Sequence, residues 1–123
     1  MGSKNISSIL AETNEKGGFI SSLITDHEGF PIAAVSNAET NQEVFAAVIG
    51  LFQRATNQAS EQLGISISSE FTLYFDNGNL MVCRPFTSKG VEMVLALLLV
   101  SKKQAYRRLM TQTIVAVQKT FEL

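Results

Sequence analysis

The sequence holds no tryptophan, one cysteine, one histidine and two prolines among its 123 residues. A single thiol, Cys83, excludes an intramolecular disulfide, and a reducing cytoplasm is the compartment expected of such a chain. The lone histidine, His27, has no second His or Cys at ligand spacing, so the common zinc arrangements are excluded and no metal site is assigned. His27 stands between Asp26 and Glu28 in a polar turn, where exposed neighbours lack the burial that tunes catalytic pKa values; no catalytic residue is assigned either. Charge of one sign is also lacking: ten basic residues against eleven acidic give −1, so no global field draws the chain to nucleic acid or anionic lipid. Aromatics are mostly Phe and none alternates with basic residues as in a stacking platform for single strands. The most apolar run, Val91 to Val100, holds ten residues including Glu92, about half of the ~20 that a membrane-spanning helix needs, so no membrane insertion is expected. No charged segment followed by an apolar one opens the sequence, so no secretory leader is expected. The glycines fit turns and caps, and neither a P-loop nor a dinucleotide fingerprint occurs, which leaves no cofactor to assign.

What is present is a compact domain's composition. Apolar residues make up 46% and charged ones 17%, and the length suits one domain with a sizeable core, spanning 1–123. Ile6, Ile9, Leu10 and Thr13 recur at helical spacing behind Ser3 and Asn5, predicting a short helix to about Glu15 that stops at Gly17-Gly18. Two apolar runs from Phe19 to Ser36 flank the turn Asp26-His27-Glu28-Gly29 and read as a hairpin. Pro31 is tolerated only if its strand is an edge or begins there.

From Glu39 to Leu63 the pattern is helical at ~100° per residue, and Gly64 is placed to cap the end. Val44, Phe45, Val48, Ile49, Leu51, Phe52, Ala55, Ala59 and Leu63 form one broad apolar stripe. The opposite face begins with Ala46, Ala47 and Gly50 and turns polar only at Gln53, Arg54, Asn57 and Glu61. A helix whose first half is apolar or small all round is covered on two sides or exposes a smooth patch to which another backbone can come close.

Two further strands, Ile67 to Phe75 and Leu80 to Phe86, are joined by Asp76-Asn77-Gly78-Asn79, a strong hairpin signal. Lys89-Gly90 turns the chain into a fifth strand, Val91 to Val100, apolar on both faces after Glu92 and therefore central and covered above and below. Cys83 alternates within an apolar strand, the setting of a buried, inert thiol. Ser101 is placed to cap a last helix from Lys102 to about Lys119, with Tyr106, Leu109, Met110, Thr113, Ile114 and Val117 as its core stripe. Lys102, Lys103, Arg107 and Arg108 cluster in its opening turns, against the helix dipole, as a solvated face or a docking patch for an acidic partner surface. The sum is an α+β fold ordered α-β-β-α-β-β-β-α: a five-stranded antiparallel sheet with the long helix on one face and the two terminal helices on the other.

This order, with Gly18-Phe19-Ile20, the turn sequence Asp26-His27-Glu28-Gly29-Phe30-Pro31-Ile32-Ala33, the alanine-rich helix through Leu63-Gly64, Asp76-Asn77-Gly78-Asn79-Leu80 and the leucine-rich fifth strand, resembles the Roadblock family. That family comprises dynein light chains, lysosomal scaffold subunits and bacterial gliding-motility regulators. The likeness runs from about Ile6 to Phe121; Ser21 and Ser22 depart from it, standing where many members have Gly or Ala, and the loop from Phe86 to Gly90 offers little to align. The resemblance implies strand order 2-1-5-4-3 and a homodimer that pairs strand three with its copy while the long helices lie side by side. It then places Ala46, Ala47 and Gly50 at the helix seam and Ser69, Phe71 and Leu73 on the pairing strand. It also implies a small Ras-like GTPase as partner, docked on the helix pair and scaffolded or stimulated in its hydrolysis, with no active site in this chain. Arg54, Asn57 and Glu61 would border that platform. An arginine finger from Arg54 is disfavoured by its place on a rigid helix. A ligand-sensing module of the PAS or GAF kind is the alternative from another class and requires an apolar cavity between sheet and helix. A purely structural subunit of a motor or membrane-tethered complex differs from the leading reading only in its partner.

Overall fold

A computed structural model describes residues 5–36 and 39–120; Ser3 and Phe121 lie outside them. Asn5 caps the first helix, its Oδ1 accepting from the Ser8 N–H at 2.7 Å, and α1 runs Ile6–Gly17. The hairpin follows as β1 (Ser21–Asp26) and β2 (Pro31–Ser36). Asn41 caps α2, Gln42–Leu63, by accepting from Val44 N–H at 3.1 Å, so the helix starts after Glu39 rather than at it. Then come β3 (Phe71–Tyr74), β4 (Leu80–Ser88), β5 (Val91–Leu99) and α3 (Arg107–Thr120).

The sheet order is β2-β1-β5-β4-β3 and every neighbouring pair is antiparallel. Pro31 is the first residue of an edge strand, where its missing N–H leaves no ladder bond unmade. Central β5 sends Met93, Leu95, Leu97 and Leu99 to a core shared with Leu10 of α1 and Met110 and Val117 of α3. Its other face sends Val94 and Ala96 to Leu23, Met81 and Cys83 beneath Phe45, Ala46 and Ile49 of α2. On the first side α1 and α3 meet at a buried contact between the Thr13 and Thr113 hydroxyls, 2.6 Å apart. Each hydroxyl also faces the carbonyl four residues back, so two hydrogens serve three contacts and one threonine donates across the seam.

Two boundaries and the orientation of α2 differ from the expectation, each for a local reason. β3 is four residues, not nine; continuing its register would set Ser69 against Pro85, and the sheet tolerates that proline because β5 pairs it from the other side while no third strand runs beside it. The stretch before β3 is held instead by Glu70, whose carboxylate accepts from Arg84 Nη2 at 3.0 Å and Nε at 3.3 Å. α3 begins at Arg107, not Lys102, because Gln104 makes a competing turn. Its Oε1 accepts from Val100 N–H at 2.8 Å, its Nε2 donates to Gly18 O at 2.8 Å, and Ser101 Oγ takes the Lys103 N–H.

The third difference concerns which way α2 faces. Ala46 is fully buried and Gly50 is packed on the β1–β2 turn: a Cβ on Gly50 would stand 2.8 Å from Glu28 O and 2.8 Å from Gly29 Cα. Ala46 and Gly50 therefore do not form the outward seam expected of them. The turn needs them inward, because backbone rather than side chain meets the helix there. Gly29, at φ +92°, completes the turn, and Asp26 Oδ1 accepts from Glu28 N–H and Phe30 N–H at 2.9 and 3.0 Å.

Two outcomes follow. In a solvated helix Gly→Ala gains about 1 kcal/mol, whereas Gly50→Ala is expected to lose about 1–2 kcal/mol net through overpacking, read as a lower melting temperature; stabilisation would contradict the close approach. Cys83 is buried and its pKa is raised by desolvation first and by Glu70 second. The folded thiol thus stays protonated where the unfolded one, at 9.0, ionises, so its contribution to stability is complete below pH 9.0 and declines as pH rises further. Native Cys83 should resist alkylation near pH 8 and react on unfolding; fast labelling of the folded chain would refute its burial.

Candidate interaction surface

With Phe45, Ala46, Ile49, Gln53 and Ser60 turned inward, the helical period carries Val44, Ala47, Leu51 and Ala55 to the outside. Val44 and Leu51 are each 57% exposed, a large value for residues placed one or two turns apart on one ridge. Val48 and Phe52 flank the ridge half-buried, and Phe52 meets Phe71 of β3 with ring centroids 6.5 Å apart. The ridge is thus continuous with β3, which pairs on one side with β4 and is an edge on the other. An apolar helix ridge beside an open strand edge is a surface that a second polypeptide can cover with both side chains and ladder hydrogen bonds.

The sequence-predicted residues divide. Ala47 lies on the outward ridge, while Ala46 and Gly50 lie beneath the helix. Phe71 and Leu73 belong to β3 and are half-buried toward α2; Ser69 is exposed and precedes the strand. Arg54 reaches the β1–β2 turn, its Nη1 donating to Glu28 O at a long 3.4 Å. Asn57 Oδ1 accepts from Gln53 Nε2 at 3.2 Å, and Glu61 is exposed one turn further on. His27 and Glu28 are both exposed, 3.8 Å apart. The sequence pattern places Val44 and Leu51 in the broad apolar stripe, but the structure turns both outward. Their spacing from Ala47 was the clue, since these three share a face that Ala46 and Gly50 do not.

Between the second half of α2 and the ends of the β1–β2 and β4–β5 hairpins lies an open cleft of about 430 Å³. Its walls carry Gln53, Asn57 and Glu61 from α2 and Glu92 from β5, over Pro85 and Val94 on the α2 side of the sheet. Elsewhere the space between α2 and the sheet is filled by Phe45, Ile49, Leu23, Met81 and Val94, which is not the apolar chamber a PAS- or GAF-like sensor requires. The basic residues also redistribute. Lys102 and Lys103 lie in the turn before α3, all four are exposed, and Arg107 lies over the Tyr106 ring at 4.9 Å. Among the described residues no helix is long and apolar enough to cross a membrane.

In sequence comparisons no family model matches the chain and no curated protein matches it. Solved structures do. The gliding protein MglB of Thermus thermophilus superposes with a TM-score of 0.75 at 16% identity, over 94% of this chain and 87% of that one. MglB of Myxococcus xanthus gives 0.81 at 10% identity over 99% and 98%. A Roadblock/LC7 domain from Streptomyces avermitilis gives 0.76 at 12% identity over 94% of each chain. At such identities the likeness speaks for the fold, and the chain has the Roadblock fold.

Proposed function

We propose that this chain is a cytoplasmic, non-catalytic regulator that works as a homodimer and docks a small Ras-like GTPase. The observation that carries the reading is the exposed ridge Val44, Ala47 and Leu51 lying beside the open edge of β3. Each square ångström of apolar surface that such a ridge hides contributes about 25 cal/mol. Pairing β3 with its copy would satisfy the edge's free backbone groups in the same step. On this reading Val44, Ala47 and Leu51 form the helix seam, with Phe71 and Leu73 supporting the paired strand from below. The likeness to MglB, a gliding protein, supports a regulatory rather than an enzymatic role.

The partner platform is then the outer surface of the helix pair, bordered by Arg54, Asn57 and Glu61. Arg54 is a poor arginine finger, since it sits on a rigid helix and already donates to Glu28 O. Any stimulation of hydrolysis would therefore work by rearranging the GTPase's own groups.

Two measurements test this. Leu51→Arg should turn a dimer into a monomer by light scattering while the circular dichroism spectrum is kept; a wild-type monomer would overturn the homodimer, and a variant of unchanged mass would place the seam elsewhere. Affinity capture from a lysate, with and without a non-hydrolysable GTP analogue, should retain a small GTPase in a nucleotide-dependent manner. Its absence under both conditions would remove the proposed partner.

A further inference from the structure

The cleft under the second half of α2 carries a polar group that the fold does not explain. Gln53 is only 7% exposed. Its Nε2 donates to Asn57 Oδ1, but its Oε1 is buried and has no hydrogen-bond partner. An acceptor left unsatisfied in a folded interior is costly and uncommon, and this one belongs to a side chain that lines an open cleft. A leucine would fill the same volume on the inward side of α2 without that cost.

The surroundings specify what would satisfy it. Gln53, Asn57 and Glu61 follow one another at four-residue steps, so one face of α2 supplies one wall. Glu92 stands at the opening of β5 and His27 in the β1–β2 turn, while Pro85 and Val94, paired across β4 and β5 on the α2 side of the sheet, give an apolar floor. No Lys or Arg lines the cleft, and among the described residues neither Glu61 nor Glu92 has an ion-pair partner. The site is therefore negative and apolar at its base, with no cationic Lys or Arg, and beyond Gln53 its side-chain donors are confined to His27, Asn57, Ser68, Ser69 and Thr87.

We propose that this cleft binds a guanidinium group carried on an aliphatic stem, with Gln53 Oε1 as the buried acceptor and Glu61 and Glu92 supplying the charge. A guanidinium offers five N–H donors in a fixed plane, enough to serve a carboxylate and an amide oxygen together, and its stem matches the Pro85 and Val94 floor. An ammonium presents a compact, strongly hydrated charge and fits the half-apolar cleft less well. A free small molecule and an arginine of another polypeptide share this chemistry. The site lies within one chain and needs no second copy; because Asn57 and Glu61 also border the proposed partner platform, it is tested on the chain alone, with no GTPase present.

The test is a ¹H–¹⁵N titration of the full chain with three probes: agmatine, acetyl-Gly-Arg-Gly-amide, and the same peptide with citrulline in place of arginine. Saturable shifts of the Gln53 side-chain amide and of the Glu61 and Glu92 amides are expected with the guanidinium probes, weakening as salt is added. Tighter binding of the peptide would identify an arginine side chain as the occupant, and tighter binding of agmatine a free small molecule. The pair Glu61→Gln and Glu92→Gln, both on exposed positions and safe for folding, should weaken binding about tenfold or more, equivalent to about 1.4 kcal/mol. Gln53→Leu should abolish it while raising the melting temperature. Absence of saturable shifts, equal binding of the citrulline peptide, or unaltered binding by the Glu61→Gln, Glu92→Gln double variant would each overturn the assignment.

Discussion

The contact on which this structure turns is backbone against backbone: Gly50 of α2 lies on Gly29 and the Glu28 carbonyl, with no room for a methyl group on Gly50 and a tight fit at Gly29. A long helix over a twisted sheet is free to roll about its axis unless some point of contact is closer than the rest. The hairpin turn supplies that point. It is itself rigid, because the Asp26 carboxylate accepts two backbone N–H groups and the Asp26 N–H is held by Phe30 O. With the helix pressed there, Ala46 faces inward one turn before Gly50, Phe45 and Ile49 fill the space over Leu23 and Val94, and Val44 and Leu51 have nowhere to go but outward.

The opposite layer is fixed by different means. α1 and α3 cover the Leu95, Leu97 and Leu99 face of β5, each such fully buried side chain contributing about 1.5–3 kcal/mol. They are tied to each other by the two threonine hydroxyls and to the chain's turn at 101–106 by Gln104, which donates to both Gly17 O and Gly18 O. The long helix thus sits alone on its face, with its outer side uncovered, while the terminal helices share theirs. That asymmetry puts the exposed apolar ridge on α2.

Much of this was legible in the residues. The Asp-x-x-Gly and Asn-Gly turns gave both outer hairpins, and the double-sided apolar run of β5 marked the central strand, because turn chemistry and alternation are local properties. What was not legible depended on contacts distant in sequence. The orientation of α2 escaped because both of its faces are apolar or small, so periodicity could find a helix but not choose the face that Gly29 would meet. The length of β3 depended on whether a neighbour pairs Ser69, and the start of α3 on a glutamine reaching back to residues 17 and 18. Gln53 read as the beginning of a polar face and proved to be its buried member.

The same constraint connects the cleft and the ridge. Gln53 lies three residues after Gly50, and Leu51 one residue after, so the roll that seats Gly50 on the turn drives Gln53 beneath the helix and Leu51 above it. A core residue at 53 would suffice if the helix had only to cover the sheet, and a polar residue at 51 would suffice if it had only to meet water. The sequence has the reverse at both positions. A polar group inside and a large apolar group outside are each unfavourable for an isolated chain, and both lie on one rigid element. The simplest physical account is that α2 is shaped by what it meets on both sides, and that a ligand in the cleft and a protein on the ridge would read the position of a single helix.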